Sequence, residues 1–505
     1  MVSEIKVGAI LNYVNQFIRI GIGLFLTPYI ITCLGQSEYG LYSIAGSIVS
    51  YIALMDFGLT ASTGRFLSEY RAKGDSAGEA HFLGNITALF AIIAGLIFVC
   101  GLAVYPWLAS IFPNFTSDEM RTYRILYLMA LSNVALCYPL NAMNGILTSR
   151  TKFTIPGVAA SILSCLNVVG TILILHWGYR SVALLGINIV TGILGLIFNV
   201  AYAYICLGVR LTWNGWDFPL CKRVYSFSIW VFLSYLSGVL SWGTGNFILG
   251  MTGTAADISV FAIGLALFSY YYTFSNGISC LFLSKVVHLV THKADSREIT
   301  LLMVRVGRVL ALILFLMLGG LIFFGLDFLT LWVGKTLGAR VEESWWVAVI
   351  LCLALTIPAT QNLGQQILQA RDMVKYNAVV QALVALVGLV CGYVLSFFYG
   401  GYGIAIGIAS SFILGRTIYL NYLFQRRVGL DMPLFFRATF QRLVPVLLLP
   451  FATAWWLNHL FPEVTWMTLI AKMVFFTLIY AVSMLCFYMT PEERALSRFS
   501  YHTGK

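Results

Sequence analysis

Three arginines lie within long apolar stretches of the sequence: Arg19, Arg308 and Arg416. A charged side chain at bilayer depth is costly and often marks a substrate or ion pathway. The guanidinium group donates hydrogen bonds in a planar fork that matches phosphate and carboxylate oxygens. We therefore predict a cationic cavity that binds an anionic, phosphate-bearing substrate. The alternative is a structural role, in which each guanidinium binds backbone carbonyls of neighbouring helices.

Polar neighbours extend this candidate site around Arg19. Asn15 and Gln16 precede Arg19 at helical spacing, so the three side chains share one face of a helix. At 1.5 Å per residue, Arg19 lies about 18 Å into its apolar segment, near the middle of a membrane core about 30 Å thick. Arg305 is a further substrate-binding candidate. It lies only about 9 Å into its own segment, so extension of its side chain to the membrane surface is the alternative.

An acidic residue near the inner end of the second apolar segment, Asp56, is the candidate for coupling or gating. Its predicted partner is Arg65, about two and a half helical turns later. Asp56 opens an Asp-Phe-Gly triplet, which binds metal in protein kinases. Here the triplet lies in an apolar helix with no ATP-binding lobe before it, so we do not predict kinase chemistry. Acidic residues are scarce in the apolar segments, which disfavours a cavity for cationic drugs.

The elements that must position these residues are membrane helices. The 505 residues are 60% hydrophobic and 10% charged, whereas soluble domains carry about 25% charged residues. Several apolar runs exceed the roughly 18 residues that a helical crossing needs. We predict an all-α polytopic membrane protein with about fourteen transmembrane helices, at residues 7–33, 40–63, 83–110, 123–147, 156–177, 182–208, 225–252, 257–288, 300–331, 345–368, 376–399, 402–424, 442–461 and 464–488.

The distribution of basic residues predicts the orientation. Most of the 31 lysines and arginines fall on the two tails and on the connections that follow even-numbered helices. Basic residues favour the cytoplasmic side, so we expect both termini in the cytoplasm. The net charge of +11 is then a feature of topology and needs no nucleic-acid partner. The loops are too short for an ATPase or glycosyltransferase domain, so we expect a transporter and not an enzyme.

The chain partly repeats itself at an offset near 219 residues. Tyr39–Tyr51 aligns with Ile258–Tyr270. Further matches at similar offsets pair Lys73 with Lys293, Asp75 with Asp295, Pro139 with Pro358, Gly145 with Gly364 and Arg150 with Arg371. We predict two six-helix lobes related by pseudo-twofold symmetry, at 1–215 and 216–430. Residues 431–505 would add two C-terminal helices and a cytoplasmic tail.

No metal site or organic cofactor is predicted. The ten cysteines are scattered without a C-x-x-C pair and look like packing residues. His288 and His292 have i, i+4 spacing, but no glutamate follows the first histidine and no third ligand is evident.

Short motifs near the N-terminus carry a resemblance to a known family. These are E-Y-G-L-Y (Glu38–Tyr42), D-F-G-L (Asp56–Leu59), then Arg65 and R-A-K-G-D (Arg71–Asp75), with G-G-Y-G-I-A (Gly400–Ala405) opening helix 12. They resemble the polysaccharide-unit (O-antigen type) flippases of the multidrug/oligosaccharidyl-lipid/polysaccharide (MOP) exporter superfamily. The resemblance extends over the whole chain in span number and two-lobe order.

The resemblance implies a function in lipopolysaccharide, capsule or exopolysaccharide synthesis. The cargo would be an oligosaccharide unit on undecaprenyl pyrophosphate, moved from the inner to the outer leaflet of the bacterial inner membrane by alternating access. We further expect coupling to an H⁺ or Na⁺ gradient and contact with membrane lipids. A polysaccharide polymerase and a chain-length regulator are expected partners.

Other functions remain open on sequence grounds. A multidrug cation antiporter of the same superfamily is one, although its cavity is usually acidic. A flippase for a peptidoglycan or teichoic-type precursor is harder to separate. A membrane polysaccharide polymerase or ligase is remote, because such an enzyme should carry a large outer loop.

Overall fold

The structure, a computed structural model, describes residues 20–53, 59–150, 154–209, 211–213, 215–280, 286, 289, 295–371 and 373–488. Helix is the only regular secondary structure in these ranges, as predicted for an all-α membrane protein. The first half contains α1 Ile20–Leu34, α2 Gln36–Ala53, α3 Leu59–Ala72, α4 Ser76–Val104, α5 Leu108–Ile111, α6 Ser117–Cys137, α7 Ala142–Ser149, α8 Thr154–His176, α9 Ser181–Ala201, α10 Phe218–Thr252 and α11 Ala255–Cys280.

The second half contains α12 Ser296–Leu337, α13 Val341–Thr360, α14 Asn362–Ala370, α15 Val374–Ser411, α16 Leu420–Leu423, α17 Met432–Phe440, α18 Leu443–Leu460 and α19 Trp466–Ser483. Across both halves, the described residues also include π-helical turns at Tyr202–Cys206, Phe412–Tyr419, Phe424–Val428 and Met484–Tyr488.

Nine helical runs in the described ranges are long and apolar enough to cross a membrane. Two of them, Ser296–Thr360 and Tyr376–Val428, contain 65 and 53 residues, which is far more than one crossing needs. Each is broken at a glycine with positive φ, Gly338 (56°) and Gly400 (52°). L-residues with a Cβ rarely adopt such angles, so glycine permits the change of direction. The total of fourteen crossings stays a prediction.

Side-chain caps fix where several helices begin. The Asp75 carboxylate accepts a hydrogen bond from the backbone N–H of Gly78 (2.7 Å), and Asp217 caps α10 through the N–H of Leu220 (3.0 Å). Thr116 and Glu119 form a reciprocal capping box at α6. These contacts satisfy N–H groups that have no partner within the helix.

The described chain divides into two compact units. Unit 1 comprises Met1–Ile263 and Gln381–Ile408; unit 2 comprises Gly264–Val380 and Ala409–Lys505. The lobe boundaries predicted from the repeat, near residues 215 and 430, stay a prediction.

In unit 1, a glycine of the E-Y-G-L-Y motif permits a close helix contact. A Cβ on Gly40 would lie 1.8 Å from the carbonyl oxygen of Ala255, at the start of α11. That distance is far below any van der Waals contact, so this packing of α2 requires glycine. The motif therefore has a structural cause at this position.

In unit 2, the last two described helices pack on α12. The buried cluster joins Phe324 of α12 with Leu447 and Ala454 of α18 and Phe476 of α19. The rings of Phe324 and Phe476 meet edge to face with centroids 5.6 Å apart. The C-terminal pair of helices is thus held by an apolar core of its own.

The predicted repeat recurs as matching contacts in the two units. Arg150 donates from Nη1 to the carbonyl of Leu207, and Arg371 donates from Nη1 to the carbonyl of Val428, with 57 residues between donor and acceptor in both cases. Each acceptor lies at the end of a π-helical turn. A glycine with positive φ follows each acceptor, Gly208 (61°) and Gly429 (75°).

Candidate functional site

Several predicted site residues lie outside the described part of the chain. These are Asn15, Gln16, Arg19 and Asp56. Arg65 belongs to α3, but its side chain is not among those described. The predicted substrate contact at Arg19 and the predicted coupling role of Asp56 and Arg65 therefore stay predictions. The remaining candidates, Arg305, Arg308 and Arg416, can be placed.

Arg416 lies inside the π-helical turn Phe412–Tyr419, which continues α15. Its side chain is only 4% exposed. The guanidinium carbon lies 5.0 Å from the centroid of the Phe412 ring, and the Tyr272 side chain is in hydrogen-bond contact with it. π-helical turns within α-helices occur frequently at functional sites, because they redirect side chains at the cost of regular hydrogen bonding.

The surroundings of Arg416 suit an anion-binding role. A buried guanidinium interacts strongly with an anion because the local dielectric constant is low. The face of the Phe412 ring attracts the cation, and a guanidinium has the planar N–H geometry that matches phosphate oxygens. Among the predicted arginines that the structure places, Arg416 has the arrangement best suited to phosphate recognition.

Arg308 has a different environment, with its donors bound to backbone carbonyls. Nη1 donates to Ala438 O (2.9 Å) and Nη2 to Tyr488 O (2.7 Å). The guanidinium also lies 4.3 Å from the centroid of the Tyr488 ring. Tyr488 in turn donates from its hydroxyl to Thr439 O (3.0 Å). These contacts join α12 to α17 and to the end of the last described helix, so they give Arg308 a structural role. Substrate contact by Arg308 stays untested.

Arg305 lies on the exposed face of α12, in line with Leu301 and Val309 at i−4 and i+4. A guanidinium on an apolar exposed face near a helix end is expected to extend to the membrane surface. This position agrees with the alternative stated above for Arg305. Binding of cargo by Arg305 stays a prediction.

The structure reveals an ion pair that sequence reasoning missed. Lys472 of α19 is 3% exposed, and its Nζ lies 3.1 Å from Oδ2 of Asp327 in α12. The amide of Asn458 in α18 donates nearby to the carbonyl of Phe323. Each charge was visible in the sequence, but 145 residues separate Lys472 from Asp327. The signal that could have found the pair is the presence of opposite charges in two otherwise apolar spans.

Unit 1 contains an uncharged polar network at membrane depth. Asn188 donates to the hydroxyl of Tyr42 (2.9 Å), and Asn167 donates to Asn188 Oδ1 (2.8 Å) and to Thr191 Oγ1 (2.9 Å). The network joins α2, α8 and α9. It was also missed, since amides in apolar segments give a weaker signal than charges do.

A second motif residue, Glu38, has a capping role. Its carboxylate accepts hydrogen bonds from the backbone N–H (3.0 Å) and hydroxyl (2.7 Å) of Ser181, at the start of α9, and pairs with Arg180 at 3.2 Å. A carboxylate is favourable at a helix N-terminus, where the helix dipole is positive. Glu38 and Gly40 together show that the E-Y-G-L-Y motif holds helices in place.

No group of three or more potential metal ligands occurs in the described ranges. This finding does not test the prediction that the protein has no cofactor.

Comparison with known proteins supplies the family. The model of the family described as "Polysaccharide biosynthesis protein" matches residues 5–290, which is more than half of the chain. The chain belongs to this family. The resemblance inferred from the motifs of residues 38–75 is therefore confirmed.

A curated relative from Salmonella typhi is named "Putative O-antigen transporter". It is 22% identical over 430 residues, covering 81% of this chain and 94% of the relative.

Solved structures share the fold. The lipid II flippase MurJ, in an inward closed conformation, matches with a TM-score of 0.74 and 15% identity, over 97% of this chain and all of that chain. An inward-facing multidrug resistance MATE transporter of the MOP superfamily matches with a TM-score of 0.66 and 12% identity, over 81% of this chain and 93% of that one. The family member described here thus has a MurJ- and MATE-like helical fold.

Proposed function

We propose that this protein is a flippase for an oligosaccharide unit linked to undecaprenyl pyrophosphate. It moves the unit from the inner to the outer leaflet of the bacterial cytoplasmic membrane for the synthesis of O-antigen, capsule or exopolysaccharide. Membership in the polysaccharide biosynthesis family and the relative named as an O-antigen transporter support this proposal. The structural observation that carries it is the buried cation Arg416, at a π-helical turn of an otherwise apolar helix.

The cargo in this proposal has two parts with different chemistry. The pyrophosphate is a compact anion, and a guanidinium group is suited to its oxygens by charge and by planar geometry. The sugars carry hydroxyl groups, which hydrogen-bond with amides and tyrosines. We infer that Arg416 contacts the pyrophosphate, and that Arg19, Asn15 and Gln16 complete the cationic cavity.

Transport requires no covalent step in this mechanism. The protein binds the lipid-linked unit from the cytoplasmic side, changes conformation and releases it outside. An H⁺ or Na⁺ gradient drives the cycle, with Asp56 and Arg65 as the coupling or gating pair. Both termini lie in the cytoplasm, and a polysaccharide polymerase and chain-length regulator use the delivered units.

A complementation assay tests the proposal. A strain lacking its own flippase should regain surface polysaccharide when it produces this protein, and the lipid-linked unit should cease to accumulate in the inner leaflet. Arg416→Ala should abolish this rescue, and Arg416→Lys should retain a part of it, because lysine keeps the charge without the bidentate fork.

The control for Arg416 is the exposed Lys335 at the end of α12. Lys335→Ala should rescue as well as the unchanged protein at equal protein level in the membrane. Full rescue by Arg416→Ala would refute the role of Arg416. Failure of the unchanged protein in hosts with several different polysaccharides, together with a gain in drug resistance, would favour the multidrug antiporter instead.

A further inference from the structure

The two matching arginines differ in the charge that surrounds them. In unit 1, Arg150 forms an ion pair with Glu79, with Nη2 and Oε1 3.1 Å apart and both side chains less than one-fifth exposed. In unit 2, the position that corresponds to Glu79 in the repeat is Ile299, which is buried. Arg371 therefore donates to a carbonyl at a helix end, as Arg150 does. The position that supplies the neutralising carboxylate to Arg150 holds an apolar residue in unit 2.

Four more arginines follow in the adjoining part of unit 2. The segment of residues 424–442, here called the basic segment, carries Arg426, Arg427, Arg437 and Arg442, and all four are exposed. Its single acidic residue is Asp431, whose carboxylate already accepts the N–H of Leu434 at 3.0 Å. The segment thus has a net charge of +3 before Arg371 is added.

The basic segment is held against α12 by contacts on its opposite side. The backbone N–H of Asp431 donates to the hydroxyl of Thr300 at 3.2 Å. Met432 and Phe435 of α17 are buried. The Phe435 ring packs closely on Gly307 of α12, since a Cβ added to Gly307 would lie 2.7 Å from the ring. These contacts leave Arg437, together with Gln441, on the outer face of α17, where the two side chains bond to each other at 3.2 Å.

The position of the basic segment defines the partner that it can meet. It covers the end of one apolar helical run, Tyr376–Val428, and the start of the next, Met432–Leu460, so it lies at a membrane boundary. The excess of basic residues assigns this boundary to the cytoplasmic side. Exposed arginines at that depth lie beside the phosphate groups of lipids. Each basic residue near the surface contributes about 1 kcal/mol to the free energy of binding an anionic leaflet.

We propose that the basic segment and Arg371 form a binding surface for the phosphate headgroups of anionic phospholipids in the cytoplasmic leaflet. The arginines lie on an open surface and not in a closed pocket, which suits mobile headgroups of bulk lipid better than a single cargo molecule. In the described part of unit 1, the matching Arg150 is instead neutralised by Glu79. This inference does not depend on the identity of the transported cargo.

Lipid titration of the purified full-length protein tests this inference. Binding of short-chain phosphatidylglycerol and of short-chain phosphatidylcholine is measured by thermophoresis in a neutral detergent at low salt. We expect a clear preference for phosphatidylglycerol. The triple variant Arg426→Gln, Arg427→Gln and Arg437→Gln should lower the affinity for phosphatidylglycerol on the order of a hundredfold, at roughly fivefold for each arginine.

The matched control is Lys73, an exposed cation on the same side of the membrane that already pairs with Glu69 at 2.8 Å. Lys73→Gln should leave the affinity for phosphatidylglycerol unchanged. The converse variant Glu79→Gln removes the negative charge beside Arg150 in unit 1 and should raise the affinity a few-fold.

Three outcomes would overturn the inference. These are equal binding of the two phospholipids, an unchanged affinity in the triple variant, and an equal loss in Lys73→Gln. Undecaprenyl pyrophosphate is titrated in parallel. If the triple variant loses affinity for this lipid while phosphatidylglycerol binding is retained, the surface belongs to the cargo and the assignment to bulk phospholipid is wrong. A retained melting temperature, measured without lipid, shows that each variant is folded.

Discussion

Unit 1 and unit 2 share a framework but differ in the polar groups that they place at membrane depth. In both, a helix ends in a π-helical turn, and a carbonyl at or directly after the last residue of that turn accepts a bond from an arginine 57 positions earlier in the chain. Among the residues that the structure describes at membrane depth, unit 1 has the neutral amides of Asn167 and Asn188, whereas unit 2 has charges, which are Arg308, Arg416 and the pair of Lys472 with Asp327.

This difference separates structural from functional candidates. Contacts present in both units hold helix ends, as any copy of the fold must do. Among the described side chains, the buried charges of unit 2 have no counterpart in unit 1, where the predicted Arg19 lies outside the described residues. Within unit 2, the bonds of Arg308 to two carbonyls and of Lys472 to Asp327 explain the presence of these charges, which leaves Arg416 as the stronger candidate for function.

The largest effect is expected at the ion pair of unit 2. Asp327→Asn leaves the buried ammonium of Lys472 without its counter-charge, which should lower the free energy of unfolding by about 3–5 kcal/mol. Denaturant unfolding in detergent measures this loss. The double variant Asp327→Leu, Lys472→Met should recover most of it, because an apolar pair can replace a buried ion pair.

The control for this prediction is the more exposed pair of Arg340 and Glu343 in the same unit, 2.9 Å apart. Glu343→Gln should change the free energy of unfolding by less than about 1 kcal/mol. Equal effects of Asp327→Asn and Glu343→Gln would show that unit 2 does not depend on its buried charge.

A second prediction concerns the close helix contact of unit 1. Gly40→Ala places a Cβ 1.8 Å from the carbonyl oxygen of Ala255, so α2 must shift, at a cost of about 2–3 kcal/mol. Gly46→Ala in the same helix meets no atom within 4 Å and should be neutral or stabilising by up to about 1 kcal/mol. Thermal melting of the two variants checks the contrast. A Gly40→Ala protein as stable as Gly46→Ala would mean that α2 packs differently.

The third prediction compares the matching arginines directly. Arg150→Gln removes the bond to Leu207 O and leaves the carboxylate of Glu79 unpaired, which should cost about 2 kcal/mol. Arg371→Gln removes only the corresponding bond to Val428 O and should cost about 1 kcal/mol. Melting temperatures in one detergent give the order. The reverse order would contradict the assigned role of Glu79.

The smallest effect is expected in the amide network of unit 1. Asn188→Leu removes bonds to Tyr42 and Asn167, and hydrogen bonds between membrane helices contribute about 0.6 kcal/mol each, so we expect a loss of about 1 kcal/mol. Ser164→Ala, which removes only a bond to Ala160 O within α8, should have almost no effect. Denaturant unfolding measures the effect. If Asn188→Leu lowers the free energy of unfolding by more than about 3 kcal/mol, this network stabilises the protein as much as the ion pair of unit 2 does.

Much of the fold could be predicted from the sequence. Apolar segments long enough to cross a bilayer leave the backbone no alternative to helix, because lipid offers no hydrogen-bond partners. The helix class, the approximate segment limits and the matching Arg150 and Arg371 were therefore accessible. The sequence also contained a signal that was missed. Asp-Phe-Pro-Leu at 217–220 and Asp-Met-Pro-Leu at 431–434 begin two helices with the same aspartate cap.

The candidate site was less predictable. Arg308 and Arg416 both stood out as charges in apolar segments, yet one binds two backbone carbonyls and the other lies over the ring of Phe412. Spacing along the chain could not separate these cases, since Ala438 and Tyr488 are 130 and 180 residues from Arg308.

The sequence by itself determined that this chain is a helical membrane protein with a partial internal repeat and an uneven distribution of basic residues. These properties follow from composition and period, which act locally through the cost of placing polar groups in lipid. Only the tertiary structure decided which charge has which partner. Lys472 and Asp327 meet through the packing of α19 on α12. Contacts between residues so distant in sequence depend on how the helices pack, which no local pattern specifies.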